Sequence, residues 1–275
     1  MNRVLGLVLC VFGLTCGVAN AQPAKSTTEF PYRSQYIDVT IIETADLNKR
    51  FNDVIVVDVR SAYEYQTLRV KDAVNIPLGT RVFLDEIRKL REGSPKPIVF
   101  YCNGKTCRKS YDAVLAAQSA RIPNTLAYDA GVFDWAKANP DLTALLGVSP
   151  IKPTDLIEDK AFKSRILDPK DFASRVGNNT VVLDVRDRAQ RDSALFPFKE
   201  QRAQLSEKDQ LDAAIDQAIK GNKTLLVYDA AGHQVRWFQY YLENKGVREY
   251  FFMKNGAQGY FDATLGKVSL GQHKK

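Results

Sequence analysis

Two hydrophobic patterns alternate along this chain, and each set of runs occurs twice. Val54-Ile55-Val56-Val57 and Thr180-Val181-Val182-Leu183 are β-branched or aliphatic runs that end in Asp58-Val59-Arg60 and Asp184-Val185-Arg186. Unbroken apolar runs of this length read as strands buried on both faces of a parallel sheet. Pro97-Ile98-Val99-Phe100-Tyr101-Cys102 and Thr224-Leu225-Leu226-Val227-Tyr228-Asp229 are second buried strands, each halting at a polar residue. Helical periodicity follows at 110–119 and 236–244. Third strands come at Thr125-Leu126-Ala127-Tyr128 and Tyr250-Phe251-Phe252-Met253, each running into a turn at Gly131 or Gly256. Cys102 and Asp229 lie 127 residues apart, a period that fits two duplicated domains and is too long for a solenoid. Strands alternating with helices predict an α/β fold, with mostly parallel sheets flanked by helices. Pro140, Gly147, Pro150 and Pro153 place a linker at 139–154. Residues 22–35 read as an unpacked lead-in.

The length of 275 residues suits two such domains. With 45% hydrophobic and 26% charged residues the chain can build packed cores, and a mean hydropathy of -0.28 excludes a polytopic membrane protein. The net charge of +7 is scattered over the chain. That favours small anionic partners and argues against nucleic acid.

The N-terminus carries its own signal. Asn2 and Arg3 precede an apolar run at 4–17, and Ala19-Asn20-Ala21 forms an A-x-A site before Gln22. This predicts a signal peptide at 1–21, cleaved after Ala21, and a periplasmic or secreted protein. The apolar run would extend only about 21 Å as a helix, short of the roughly 30 Å core of a bilayer, so no stable membrane anchor is expected after cleavage. Gly13-Leu14-Thr15 is a poor lipidation signal ahead of Cys16. Of four cysteines, Cys10 and Cys16 leave with the leader, and only Cys102 and Cys107 remain. Two cysteines in one short loop suggest chemistry more than stapling.

The order of motifs resembles the rhodanese (sulfurtransferase) family in a tandem arrangement. The resemblance rests on Asp58-Val59-Arg60 with Glu64-Tyr65, then Ala73-Val74-Asn75-Ile76-Pro77, then Phe100-Tyr101-Cys102-Asn103-Gly104 with Cys107-Arg108-Lys109-Ser110, and finally Ala130-Gly131-Val132-Phe133-Asp134-Trp135. It implies rhodanese-like domains at 36–147 and 158–268, the second with Asp229 where the first has Cys102. Leu68-Arg69-Val70 departs from the family pattern, and an altered turn is expected there. The implied chemistry is an exported thiosulfate sulfurtransferase. Cys102 would take a sulfane sulfur from a small anionic donor such as thiosulfate and pass it to cyanide, a thiol or a protein thiol.

The residues support that chemistry on their own terms. A cysteine at the carboxyl end of a parallel strand sits where such sheets bind ligands. A loop over 102–108 can turn its amides inward, and the helix starting near Lys109 adds its positive end. Both effects should lower the Cys102 pKa from about 8.5. Asn103, Gly104, Lys105, Thr106, Cys107 and Arg108 form the expected substrate loop, with Asn103 and Gly104 suited to its tight first bend, Gly104 being able to take φ > 0, and Lys105 and Arg108 supplying charge. Asp58 and Arg60 are expected to brace the strand end beneath it. Cys107 has three readings: resolving thiol, disulfide partner of Cys102 or loop filler, and a reversible disulfide would gate the nucleophile. Cys102 could also be a buried apolar cysteine. His233 reads as a solvated loop residue, and Trp135 and Trp237 as packing.

Two other functions compete. Cys102, five residues and Arg108 also spell a cysteine-phosphatase or arsenate-reductase loop, against which stands Tyr101, where such enzymes usually carry His. A non-enzymatic redox or sulfur-binding module is the other. Asp229 cannot form a persulfide and would repel an anionic donor, so the second half is expected to be inactive. No metal and no cofactor are expected, because two His and two remaining Cys make no ligand cluster.

Overall fold

The computed structural model describes residues 29–191 and 193–266. The leader at 1–21 lies outside the described residues. In the first half the elements run α1 (Thr44–Lys49), β1 (Ile55–Asp58), α2 (Ala62–Thr67), β2 (Leu68–Val70), β3 (Val74–Asn75), α3 (Phe83–Gly93), β4 (Ile98–Tyr101), α4 (Lys109–Ser119), β5 (Thr125–Tyr128), α5 (Gly131–Ala138) and β6 (Thr143–Leu145). In the second half they are α6 (Asp159–Lys163), β7 (Ile166–Leu167), α7 (Pro169–Ser174), β8 (Thr180–Asp184), β9 (Glu200–Arg202), α8 (Lys208–Lys220), β10 (Thr224–Tyr228), α9 (Val235–Asn244), β11 (Tyr250–Met253) and α10 (Gly256–Leu265).

The two sheets repeat one plan. The first is ordered β3-β1-β4-β5 and the second β7-β11-β10-β8-β9, with every neighbouring pair parallel. A parallel bridge from Ile41 to Ala127 stands in the first sheet where β7 stands in the second. Strand alternation divides each core in two. Val56, Val99 and Tyr101 face one apolar layer with Val132 and Trp135. Val57, Phe100 and Cys102 face the other, with Ile87 and Val114. The second half divides likewise. Leu183 and Val227 meet Ile215 and Phe238, while Val182 and Tyr228 meet Phe172 and Ala257. The fold is therefore a mixed α/β architecture of parallel sheets flanked by helices.

Three local expectations are corrected. The stretch read as a linker contains β6, which pairs antiparallel with β2 through Leu68↔Leu145 and Val70↔Thr143, and Thr143 and Ala144 are buried. Leu68-Arg69-Val70 is accordingly a strand and not an altered turn. Residues 29–35 are held down: Arg33 grips Asp129 through Nε–Oδ2 at 2.7 Å and Nη2–Oδ1 at 2.9 Å and pairs with Glu43 at 2.9 Å.

The halves share an interface built on α9. Trp237 and Tyr240 join the apolar layer of the first half, and Trp237 stacks on Phe133 with centroids 5.2 Å apart. The Tyr240 hydroxyl accepts from the Ile157 amide at 3.0 Å.

Candidate active site

Both strands β4 and β10 end in a loop that enters a helix, and both loops open on one cleft of about 830 Å³. Residues 103–107 line one wall, and His233, Arg236 and Trp237 belong to the other. Cys102 directly follows the last residue of β4 and is 1% exposed. Its sulfur forms a disulfide with Cys107, Cα to Cα 6.4 Å. Of the three readings of Cys107, disulfide partner is the one present. Cys107 borders the cleft, whereas Cys102 packs behind it in the apolar layer.

The loop floor is a buried polar network. Arg60, wholly buried, binds Asp58 through Nε–Oδ1 at 2.9 Å and Nη2–Oδ2 at 2.6 Å. It also donates to the Leu68 carbonyl at 2.6 Å and to Asn103 Oδ1 at 3.2 Å. Burial works against the guanidinium's charge, but the Asp58 carboxylate outweighs it and holds the Arg60 pKa above its ordinary value. Asn103 Nδ2 in turn donates to Glu64 Oε1 at 2.9 Å. Glu64 closes a capping box with Ser61 at the start of α2. Burial pushes the Glu64 carboxyl up, yet Arg60, Asn103 and Ser61 together hold it below its ordinary 4.5. Asp58 and Arg60 thus lie beneath the loop and reach it through Asn103. Glu64 completes the support, and the Ser61-x-x-Glu64 spacing was its sequence signal.

The remaining loop residues divide. The Cys107 amide donates to the Gly104 carbonyl at 2.8 Å, closing a turn. Among the described residues none accepts from the amides of Asn103, Gly104, Lys105 or Thr106. Lys105 is engaged by Asp134, at 2.8 Å, and by Glu29; these two partners hold its pKa above the ordinary value. Arg108 is exposed, does not line the cleft and sits with its guanidinium 5.9 Å from the Tyr32 ring centroid. Positive φ belongs to Gly131, at 78°, and not to Gly104. A Cβ on Gly131 would stand 2.3 Å from Gly104 Cα, so this contact demands glycine. Tyr101 is committed within the floor: its hydroxyl donates to Asp58 and accepts from the Val70 amide at 3.2 Å.

The second loop is filled from within. Asp229, 3% exposed, accepts from the amides of Ala231 at 3.1 Å, Gln234 at 2.6 Å and Val235 at 3.3 Å, and from Gly232. Below it Arg186 grips Asp184 at 2.8 and 3.0 Å, repeating the Arg60–Asp58 pair. His233 is exposed at the cleft edge. Two of the positions without an acceptor in the first loop, Gly104 and Lys105, correspond by distance from the strand end to Ala231 and Gly232, whose amides bind an internal carboxylate in the second.

Residues 43–138 match the family model described as rhodanese-like domain. No curated protein matches the chain. Solved structures similar to parts of it include a Bacillus halodurans protein, 24% identical, covering 47% of this chain and 93% of that one with a TM-score of 0.36. A rhodanese-related protein from Thermoplasma volcanium is 20% identical and covers 36% of this chain and 93% of its own, TM-score 0.28. A thiosulfate sulfurtransferase from Pseudomonas aeruginosa is 17% identical over 82% of this chain and 44% of that one, TM-score 0.33. The matched segment runs from α1 to the end of α5 and contains the buried Asp58–Arg60 pair, Glu64, the cysteine loop and Gly131. The likeness to the rhodanese-like domain family model thus falls on the half that carries the cysteine loop.

Proposed function

We propose that the first half, once its disulfide is reduced, is a sulfurtransferase working through a persulfide on Cys102. The observation that carries this reading is the contrast between the two loops. Cys102 heads a loop whose amides at 103–106 meet no acceptor among the described residues, while the same place in the second half is closed by Asp229. Amides free to converge on a sulfur would favour its thiolate and hold an added sulfur. Thiosulfate would lose its sulfane sulfur to the Cys102 thiolate and depart as sulfite. The persulfide would then pass that sulfur to cyanide or a thiol. The second half, with no sulfur nucleophile and its amides occupied, would act as a second rhodanese-like domain that walls the cleft. The A-x-A pattern at 19–21 supports the reading that this activity lies outside the cytoplasm.

The phosphatase alternative needs a guanidinium aimed at the anion, and Arg108 faces Tyr32 instead. The redox-module alternative keeps one observation in its favour, the disulfide itself. Sulfite measurement on reduced protein after thiosulfate treatment separates the readings. Release of one sulfite per chain as the persulfide forms, abolished by Cys102→Ser, is the expected result. Reduced protein that returns to the disulfide without releasing sulfite would instead be a redox module.

A further inference from the structure

The pairing of a deep sulfur with a cleft-facing one points to a product. We infer that Cys107 is a resolving thiol that ends each sulfur-transfer cycle by expelling hydrosulfide and closing the 102–107 disulfide; this rests on the persulfide reading above. The two Cα atoms already stand 6.4 Å apart, and the turn from the Cys107 amide to the Gly104 carbonyl holds the loop in the shape that joins the sulfurs. An extra sulfur on Cys102 would therefore form within reach of Cys107. The Cys107 thiolate attacks the inner sulfur of the Cys102 persulfide. A bond forms between the two cysteine sulfurs, the bond to the outer sulfur breaks, and the outer sulfur leaves with the electron pair and its proton as hydrosulfide.

Recovery needs two electrons, and an external dithiol supplies them. Its thiolate meets Cys107 first, because Cys107 lines the cleft while Cys102 is 1% exposed. Attack there gives a mixed disulfide on Cys107 and releases Cys102 as the thiolate. The second thiol of the reductant then closes its own disulfide and frees Cys107. Over one cycle thiosulfate and a dithiol become sulfite, hydrosulfide, a proton and the oxidised dithiol. Cys102 and Cys107 thus change from nucleophile and loop residue into the two ends of one redox cycle.

The test is a single turnover. Protein reduced with dithiothreitol and freed of it is mixed with excess thiosulfate, and sulfite, hydrosulfide and intact mass are measured. The expected result for the wild type is one equivalent each of sulfite and hydrosulfide per chain, with a final mass two hydrogens below the reduced form. Cys107→Ser is expected to release sulfite alone and keep the mass of one added sulfur. Wild-type protein that releases sulfite but retains the added sulfur overturns the resolving role while leaving the persulfide reading standing. Absence of sulfite from reduced wild type overturns both. Should Cys107→Ser fail to fold, the wild-type ratio of hydrosulfide to sulfite decides, with one expected and zero refuting.

Discussion

Asp229 offers the sharpest test of how the two loops differ. The carboxylate is nearly inaccessible and collects four backbone amides, from Ala231, Gly232, Gln234 and Val235. A hydrogen bond to a charged acceptor contributes about 1.5–3 kcal/mol, but four amides sharing one carboxylate are not additive and regain water when it is removed. We expect Asp229→Ala to cost about 2–4 kcal/mol. For a protein of this size that is a fall in melting temperature of about 4–16 °C. The vacated amides would then accept a soluble anion. Sulfate at one hundred times its dissociation constant would return about 2.7 kcal/mol. Thermal unfolding followed by circular dichroism, in sulfate against chloride at matched ionic strength, measures both effects. Asp229→Asn is expected to be no milder than Ala, because its amide hydrogens would face backbone N–H donors. The reasoning fails if Asp229→Ala melts within about 2 °C of wild type, or if it gains no more from sulfate than the wild type gains.

Other outcomes follow from the floor of the first loop. Arg60→Met leaves the buried Asp58 without its counter-charge and should cost about 3–5 kcal/mol in urea unfolding. Adding Asp58→Asn should recover part of that loss, and a double variant worse than the single one would contradict the pairing. Glu64, held below its ordinary 4.5, contributes stability that is present above that value and lost as pH falls through the lower folded value. Glu64→Gln should therefore flatten the acid limb of urea midpoints measured from pH 7 down to about pH 3, and an unchanged limb would count against the network. Gly131→Ala sets a Cβ against Gly104 at a φ of 78°. A loss of about 2–4 kcal/mol with faster amide exchange across 103–107 is expected, and unchanged exchange would refute the contact.

The parts of the fold legible in the sequence were those encoded by local pattern. Runs such as Val54-Ile55-Val56-Val57 are apolar on both sides of the strand, so they announce a buried strand wherever they pack, and the 127-residue repeat carried that to the second half. β6 was not legible, because three residues in a stretch rich in Pro and Gly become a strand only by pairing with β2, far back along the chain. The anchoring of 29–35 was hidden for the same reason: Arg33 is a surface charge until β5 brings Asp129 to it. At the site, the strand-end position of Cys102 and the Asp-Val-Arg motif could be read directly. The direction of Arg108 and the engagement of Lys105 by Asp134 depend on side-chain placement that spacing does not encode. The Asp229 cage lay between these cases, since the substitution was visible but the four amides around it were not.

The Arg60 guanidinium has neighbours from both halves. Asp58 grips it within its own half, and the centroid of the Trp237 ring of the second half lies 4.9 Å away. The second half, whose loop carries no cysteine, therefore supplies part of the first half's interior. This makes the halves poor candidates for separate expression: a fragment ending near residue 150 would be left with an open wound where Trp237 and Tyr240 had been. Whatever residues its own loop carries, the second half is held to the first along α9, and the cysteine-bearing half leans on that helix.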